Sequence, residues 1–384
     1  MQKDSLSLEL HFIISLLKVG LKKLGAEKID ISADIDWNRF NSLVDFHSIR
    51  PLIYHALKKI NSDKVPSNVT ERLRGFALGQ TLLSLHIKHE SDQVIGLIKN
   101  AGLRGVLYKG MLFEKEIYKN SNLRETVDID LLAHPEDLPE IFRLLIQNGY
   151  ELFGNDNKVI SISSLKTEHI PADFEVEMRK KVASRVVVID LHVNIYPTYS
   201  PVKIPVDVFF SDQDSIYFRC MLMMIVHHGN REGWLKLKHL TDWIVFWENS
   251  PEGFEATVIR EKLKQYQIEK AFDTGNKLIS DIFDYKTFFS TNTGETADTS
   301  VITQFWDNPT QLFGNHTLSS KGKMEKIIWS MQDKPSLKKY LRAYYDMYST
   351  PNLLEKTPRI ITFPLKFKFL NFVSKMITVL IKGN

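Results

Sequence analysis

The sequence predicts an α+β protein in which a small mixed β-sheet is flanked by N-terminal and C-terminal helical regions. Residues 5–95 place apolar side chains at helical spacing, residues 103–200 alternate helices with β-branched strands, and helical spacing returns near residue 214. We therefore expect a helical region (1–100), an α/β core (101–213) and a second helical region (214–384).

The N-terminal region reads as a series of amphipathic helices. The first, LSLELHFIISLLKVGLKKLG, is predicted to end at Gly25, and helical spacing continues over residues 36–60 and 69–102. Asp36 is a suitable N-cap and Gly102 a suitable C-cap, because these residue types satisfy the open ends of a helix.

The core begins with a β-like run, LRGVLYKG, which ends at Gly110 and is followed by the short helix MLFEKEIYK. TVDIDLLAH is a strand rich in branched residues. The next helix is predicted to have Pro135 in its first turn and to stop at Gly149. DFEVEM and RVVVIDLHVNIY are then two strands around a polar turn, RKKVAS.

The C-terminal region contains two apolar helices around Gly229 and Gly233, followed by a predicted exposed loop, NTGETADTS. The basic, apolar end LKFKFLNFVSKMITVLIKGN is interpreted as a packed terminal helix. Attachment of this segment to a membrane surface is the alternative.

The composition excludes several classes of protein. With 43% hydrophobic residues and a net charge of only +4, the chain is globular and long nucleic acid is not an expected partner. The single cysteine, Cys220, excludes a disulfide framework and a cysteine-based zinc site. We expect a cytoplasmic protein, because the N-terminus does not resemble a signal peptide and no apolar run predicts a transmembrane segment.

Two carboxylates inside an apolar strand are the most informative feature. Asp128 and Asp130 are separated by one isoleucine, so in a strand both side chains project from the same face. Asp190 is a third acid within the β-branched run VVVIDLHVN, and on a neighbouring strand it could meet the pair. Three such carboxylates suit Mg²⁺, although ordinary pairing of Asp128 and Asp130 with lysine or arginine is the alternative.

These stretches resemble a known family. LYKGMLFEKEIYKNSNLRETVDIDLLAH, followed by VVVIDLHVNIY, resembles the nucleotidyltransferases of the DNA polymerase beta superfamily. The chain is most similar to a poorly characterised bacterial branch with Lys-Gly before the helix, an R-x-x-x-D-I-D-L-L strand and a later D/E-L-H. A helical W-x-x-L…D stretch of that branch corresponds to Trp234, Leu237 and Asp242.

The resemblance implies an enzyme that moves a nucleoside monophosphate from an NTP to an acceptor and releases pyrophosphate. Asp128 and Asp130 would hold two Mg²⁺ ions, with Mn²⁺ as the alternative metal. Asp190 would hold the catalytic ion and help to deprotonate the acceptor.

The nucleotide would be bound by a second set of residues. Gly110 would let the triphosphate approach the backbone, and Lys109 and Arg124 are the cations near it. The chain departs from the family where Met111 follows Gly110. The family usually has glycine or serine there, so the hold on phosphate is weakened.

Other polar residues have ordinary alternatives. His192 shares a strand face with Asp190 and would support a metal ligand or be a satisfied core histidine. His227 and His228 are adjacent on a predicted α-helix, point about 100° apart and are poor ligands for one ion. Glu175 and Glu177 are interpreted as a solvated hairpin edge.

Two further functions stay open. A non-catalytic nucleotide-binding or regulatory protein on the same fold would explain Met111. A helical adaptor that uses its aromatic flanks to bind a protein partner would need no nucleotide. The sequence does not specify the acceptor, which is a small molecule or a protein. It also does not specify which NTP is used or the oligomeric state.

Overall fold

The computed structural model confirms the predicted α+β fold, with a five-stranded mixed sheet and twelve α-helices among the residues it describes. These residues are 6–119, 121–153, 176–182, 185–196, 202, 204–211, 215–250, 256–286, 296–308, 338, 341–342, 345, 348–349, 361, 363 and 365–382.

The chain divides into two compact units, each assembled from separate stretches of sequence. We call the first the helical unit; it comprises Met1–His86, Leu112–Val127 and Ser215–Asp333. We call the second the sheet unit; it comprises Ile87–Met111, Asp128–Asp214 and Lys334–Asn384. The three-region division made from the sequence stays a prediction.

The helical unit begins with α1 (Leu8–Gly20), α2 (Trp37–Phe46) and α3 (Arg50–Ile60), followed by the first part of α4 (Ser67–Asn100). Asp36 caps α2 as predicted, because its side chain accepts the backbone N–H groups of the first turn.

The prediction that the first helix reaches Gly25 was wrong. Lys22, two residues beyond the end of α1, adopts a left-handed backbone with φ of 59°. A left-handed residue cannot continue a right-handed helix, so the apolar spacing runs on while the helix stops. The 3₁₀ turn Ala26–Lys28 follows.

The second half of the helical unit contains α7 (Ile216–Met224) and α8 (Leu237–Asn249), with α7 continuing as a π-helix over Ile225–Arg231. It ends with α9 (Ala256–Tyr266), α10 (Glu269–Phe283) and α11 (Thr299–Asp307). Asp298 caps α11 at the end of the predicted exposed loop, whose residues 292–295 lie outside the described part of the chain.

Trp234 is at the centre of this half of the helical unit and is fully buried. A Cβ on Gly275 of α10 would lie 2.6 Å from the Trp234 ring, so glycine is required where the helix backbone passes the indole. Gly233 and Trp234 both adopt positive φ, which turns the chain between the π-helix and α8.

The sheet has the strand order β1-β2-β5-β4-β3. Its strands are β1 (Gly105–Leu107), β2 (Ile129–Ala133), β3 (Glu151–Leu152), β4 (Val176–Val182) and β5 (Arg185–His192). Strands β2 and β5 pair in parallel, whereas the other three pairs are antiparallel.

Strand β4 corrects the prediction of a polar turn over residues 179–184. Arg179, Lys180 and Lys181 continue the ladder with β5, which reaches Val182 opposite Arg185. The lysine and arginine side chains are compatible with the strand because they lie half-buried or exposed while the backbone stays paired.

The sheet unit also contains the second part of α4, α6 (Leu138–Gln147) and a terminal helix, α12 (Lys368–Lys382). The short helix α5 (Gly110–Glu116) starts in this unit and continues into the helical unit. Gly102 and Gly149 follow α4 and α6 with positive φ, as expected of helix C-termini.

Two sequence predictions about these helices had different outcomes. Pro135 does not lie in the first turn of α6, which begins at Leu138 and has Pro139 near its start. The predicted terminal helix is present as α12, although the structure leaves Phe369, Leu370 and Ile377 exposed. Among the described residues, no helix combines the length and apolar character that crossing a membrane requires.

Candidate active site

Asp130 and Asp190 lie directly opposite each other in the sheet unit. Asp130 is on β2, Asp190 is on β5, and the parallel register pairs the two residues. Residues paired across neighbouring strands project to the same face, so the sheet brings together two acids that are 60 positions apart. The prediction that these acids share one place agrees with this register.

Asp128 lies just before strand β2 rather than within it. Strand β2 begins at Ile129, so Asp128 is the last residue before the ladder, where its side chain is half-buried. The sequence prediction had placed both acids of the pair within the strand. The difference is that Asp128 is outside the paired backbone.

Two nitrogen groups contact the Asp130 carboxylate. Lys109 Nζ lies 2.8 Å from Asp130 Oδ1, and His192 Nε2 lies 3.2 Å from the same oxygen. Lys109 follows β1 and His192 ends β5, so the two strands that flank β2 supply these groups. The sequence had related His192 to Asp190 on its own strand, whereas the structure places it on Asp130.

These contacts set the charge of the site. Burial by itself would raise the pKa of Asp130, since a buried carboxylate loses hydration. The hydrogen bond with His192 and the charge of Lys109 outweigh burial, and the pKa of Asp130 lies well below its usual value. Asp130 is therefore ionised across the whole physiological pH range.

Tyr108 contacts both Asp130 and His192. Its backbone N–H donates to the carbonyl of Asp130 at 2.9 Å, which extends the β1–β2 ladder by one residue. Its buried ring packs against His192 and Phe209, with centroid distances of 5.0 and 6.2 Å. Tyr108 thus holds both neighbours of Asp130: Lys109 through the chain and His192 through ring packing.

Helix α5 begins at Gly110, so the predicted strand–glycine–helix order is present. Met111 is only 2% exposed, which makes it a core residue rather than part of an open loop. The role of Gly110 in admitting phosphate stays a prediction.

Arg124 and Asp242 form a buried pair in the helical unit. Arg124 Nε donates to Asp242 Oδ1 at 3.1 Å, and Nη2 donates to Oδ2 at the same distance. Asp242 is completely buried and also accepts the Tyr118 hydroxyl at 2.9 Å, while His228 Nε2 lies 3.0 Å from Oδ2. Asp242, from the W-x-x-L…D stretch, and Arg124, from the R-x-x-x-D stretch, are therefore direct partners.

The groups around Asp242 favour its ionised form. Burial would raise the pKa of Asp242, but the charge of Arg124 and the hydrogen bond with His228 lower it further than burial raises it. The structure thus places Arg124 in a charge pair within the helical unit. Its predicted contact with the nucleotide stays a prediction.

Glu177 lies beside Asp190 in the sheet, a position that the sequence did not predict for it. It is paired in register with Asp190, because β4 lies beside β5 within the sheet. Its carboxylate forms an ion pair with Arg179. Glu177 is 38% exposed and lies on the β4–β5 hairpin, as predicted, but β4 is not an edge strand, because β3 and β5 pair with it on either side. Glu175 lies outside the described residues.

The family model of uncharacterised nucleotidyltransferases matches residues 33–284. The chain belongs to this family. The matched segment includes Asp128, Asp130 and Asp190 as well as the Arg124–Asp242 pair.

No curated protein and no solved structure gave a significant match. Membership of the family supports nucleotidyl transfer as the general activity and a nucleoside triphosphate as the substrate class.

Proposed function

We propose that this nucleotidyltransferase is a Mg²⁺-dependent enzyme whose active site is built by Asp128, Asp130 and Asp190. The observation that carries the proposal is the direct pairing of Asp130 with Asp190 across β2 and β5. The pattern of acids on the two strands resembles the DNA polymerase beta superfamily, and the D/E-L-H end of β5 resembles its poorly characterised bacterial branch, which supports the same reaction.

The donor set fits magnesium. The acids of β2 and β5 offer carboxylate oxygens, which are the ligands that Mg²⁺ prefers. Lys109 Nζ, 2.8 Å from Asp130, is a positive charge at the carboxylate that would receive the ion. When bound, Mg²⁺ would neutralise phosphate charge and lower the pKa of the attacking hydroxyl.

Asp190, His192 and Lys109 would each have a separate role in the reaction. Asp190 accepts the proton of the acceptor hydroxyl, whose oxygen forms a bond to the α-phosphorus. The bond from that phosphorus to the bridging oxygen breaks, and the electron pair leaves with pyrophosphate. His192 holds Asp130 in place, while Lys109 moves from Asp130 to the phosphate oxygens.

A nucleotide-binding experiment tests this proposal without knowledge of the acceptor. Thermal unfolding of the full chain is measured with each NTP, with and without Mg²⁺. Wild type should be stabilised by at least one NTP in the presence of Mg²⁺, by about 2.7 kcal/mol at a hundredfold excess over the dissociation constant. Asp130→Asn and Asp190→Asn should lose this stabilisation.

Asp92→Asn is the matched control, since Asp92 is an exposed carboxylate on α4 in the same unit. It should keep the full response. If Asp130→Asn and Asp190→Asn respond to NTP and Mg²⁺ as wild type does, the proposed active site is wrong.

A nucleotide-binding protein without turnover is the second candidate. It is favoured by the buried Met111, a residue without a hydroxyl at a position where the superfamily usually has glycine or serine. This candidate predicts the same Mg²⁺-dependent stabilisation but no release of pyrophosphate with any acceptor class. Pyrophosphate release that is lost in Asp190→Asn would exclude it.

A further inference from the structure

A π-helix in the helical unit gathers a set of metal-ligand side chains outside the proposed active site. Over Ile225–Arg231 the backbone takes the wider π form, which is rare and often found at functional sites. One ring nitrogen each of His227 and His228 and one carboxylate oxygen of Glu232 lie within 4.8 Å of one another.

This cluster bears on the expectation that His227 and His228 are poor ligands for one ion. That expectation assumed α-helical geometry, in which neighbouring side chains diverge by about 100°. A π-helix is bonded from residue i to residue i+5, which brings Glu232, just beyond its end, beside His227: the Glu232 N–H donates to the His227 carbonyl at 3.1 Å. His227 Nδ1 lies 3.2 Å from Glu232 Oε1.

The hydrogen bonding of His228 prepares one nitrogen for a metal. Its Nε2 faces the Asp242 carboxylate at 3.0 Å, and a carboxylate can only accept, so Nε2 carries the proton. Nδ1 therefore has a lone pair, and it has no hydrogen-bond partner within the described part of the chain. His228 is only 4% exposed.

A histidine that binds a metal through one ring nitrogen commonly donates the N–H of its other ring nitrogen to a carboxylate. Without an ion, the buried Nδ1 would remain unsatisfied, which is costly. An ion bound to Nδ1 would satisfy this nitrogen while Asp242 orients the ring.

Glu232 is positioned by a contact with His239. His239 Nε2 lies 2.8 Å from Glu232 Oε2, and the His239 ring stacks on His228 with a centroid distance of 4.4 Å. His239 thus fixes the carboxylate beside the two other ligands. Glu232 is 40% exposed, so its side chain has room to close on an ion.

We propose that His227, His228 and Glu232 bind one divalent transition-metal ion of the Zn²⁺ class, positioned by Asp242 and His239. Two imidazole nitrogens and one carboxylate oxygen suit Zn²⁺ or Co²⁺, whereas Mg²⁺ prefers oxygen ligands alone. Bonds of about 2.0–2.1 Å to a tetrahedral ion place two ligand atoms about 3.3–3.4 Å apart. The three atoms already lie within 4.8 Å of one another, so small side-chain movements complete the set.

The ion would link the π-helix to the turn that precedes α8. Three ligands leave one position of a tetrahedral ion for water or another small ligand. The three ligands belong to the helical unit, whereas the acids of the proposed active site belong to the sheet unit.

The test uses the full chain, stripped with a chelator and dialysed, and titrated with Zn²⁺, Co²⁺ or Mg²⁺. Bound metal per chain and thermal unfolding are measured, together with the visible absorption of Co²⁺. One Zn²⁺ or Co²⁺ per chain should bind and raise the unfolding temperature, because an ion that binds only the folded state stabilises it. Mg²⁺ should not compete.

The variants Glu232→Gln and His227→Gln should each weaken binding by at least about a hundredfold, since loss of outer contacts alone costs about 10–100-fold. Neither side chain is fully buried, so the fold should survive, and far-ultraviolet circular dichroism checks this. His89→Gln is the control: His89 is an exposed histidine on α4 that contacts Gln93. It should bind like wild type.

Three results would overturn the proposal. They are stoichiometric Zn²⁺ binding that survives both ligand substitutions, loss of binding in His89→Gln, and no binding of Zn²⁺ or Co²⁺ at one ion per chain.

Discussion

Lys109 Nζ lies 2.8 Å from Asp130 Oδ1, so a lysine is the cation on the central acid of the candidate site. Both side chains are largely buried, which makes the contact stronger than an exposed ion pair. Under the proposed function the same carboxylate must receive Mg²⁺. Lys109 then competes with Mg²⁺ for Asp130, and once Lys109 has left this carboxylate it binds phosphate.

Lys109→Met should therefore change two affinities in opposite directions. Mg²⁺ binding without nucleotide should become tighter because the competing charge is removed, while NTP binding should weaken about tenfold, corresponding to one charge-assisted contact of about 1.4 kcal/mol. Calorimetric titrations of both ligands measure this. Lys99→Met, an exposed lysine on α4, should change neither affinity. A parallel loss of both affinities would indicate a structural role instead.

His192→Phe should shift the acidic limit of nucleotide binding to higher pH. The substitution keeps a ring against Tyr108 but removes the contact with Asp130. The pKa of Asp130 is lowered in the wild type by this contact and by Lys109 against the effect of burial. Without His192 the pKa rises, so Asp130 is protonated at a higher pH and Mg²⁺-dependent binding fails earlier on acidification.

The measurement is the pH dependence of the NTP- and Mg²⁺-induced stabilisation of both proteins. An unchanged pH profile with uniformly weaker binding would show that His192 only packs against Tyr108.

Asp242→Asn should destabilise the helical unit strongly. The substitution leaves the Arg124 guanidinium buried without its charged partner, which costs about 3–5 kcal/mol in comparable pairs. Denaturant unfolding measures the change. The control is Arg143→Gln, which breaks the exposed pair with Glu140 on α6 and should cost less than about 1 kcal/mol. Equal effects of the two substitutions would contradict the buried-pair interpretation.

Glu114→Gln should remove a pH-dependent loss of stability. Burial raises the pKa of Glu114 from 4.5 to about 7, against the backbone N–H of Asn122 that donates to Oε1 at 2.6 Å. A raised pKa in the folded state favours folding below pH 4.5, and that advantage is lost as the pH rises towards 7.

Glutamine is neutral at every pH and still accepts the Asn122 N–H. The variant and the wild type should therefore have similar free energies of unfolding at pH 4.5, and the variant should be more stable at pH 7.5 by up to about 3 kcal/mol. Denaturant unfolding at the two pH values measures this. Glu140→Gln, an exposed glutamate, should show no such dependence. A constant difference at both pH values would contradict the raised pKa.

The sequence by itself determined the features that depend on neighbouring residues. Apolar spacing and caps located most helices, as Asp36 and Gly102 show, and β-branched runs located β2 and β5. Local patterns fail where one backbone conformation decides the outcome. The left-handed Lys22 ends α1 early, and the π-helix turns His227 and His228 into neighbours of Glu232.

Only the tertiary structure decided which distant residues meet. His192 contacts Asp130 from 62 positions away, and Arg124 binds Asp242 from 118 positions away. Such contacts depend on strand register and on which helices pack together, and neither is encoded in the spacing of residues along one element. The sequence thus contained the acids of the candidate site, while the fold determined that Lys109 and His192 contact Asp130 and that Arg124 pairs with Asp242 in the helical unit.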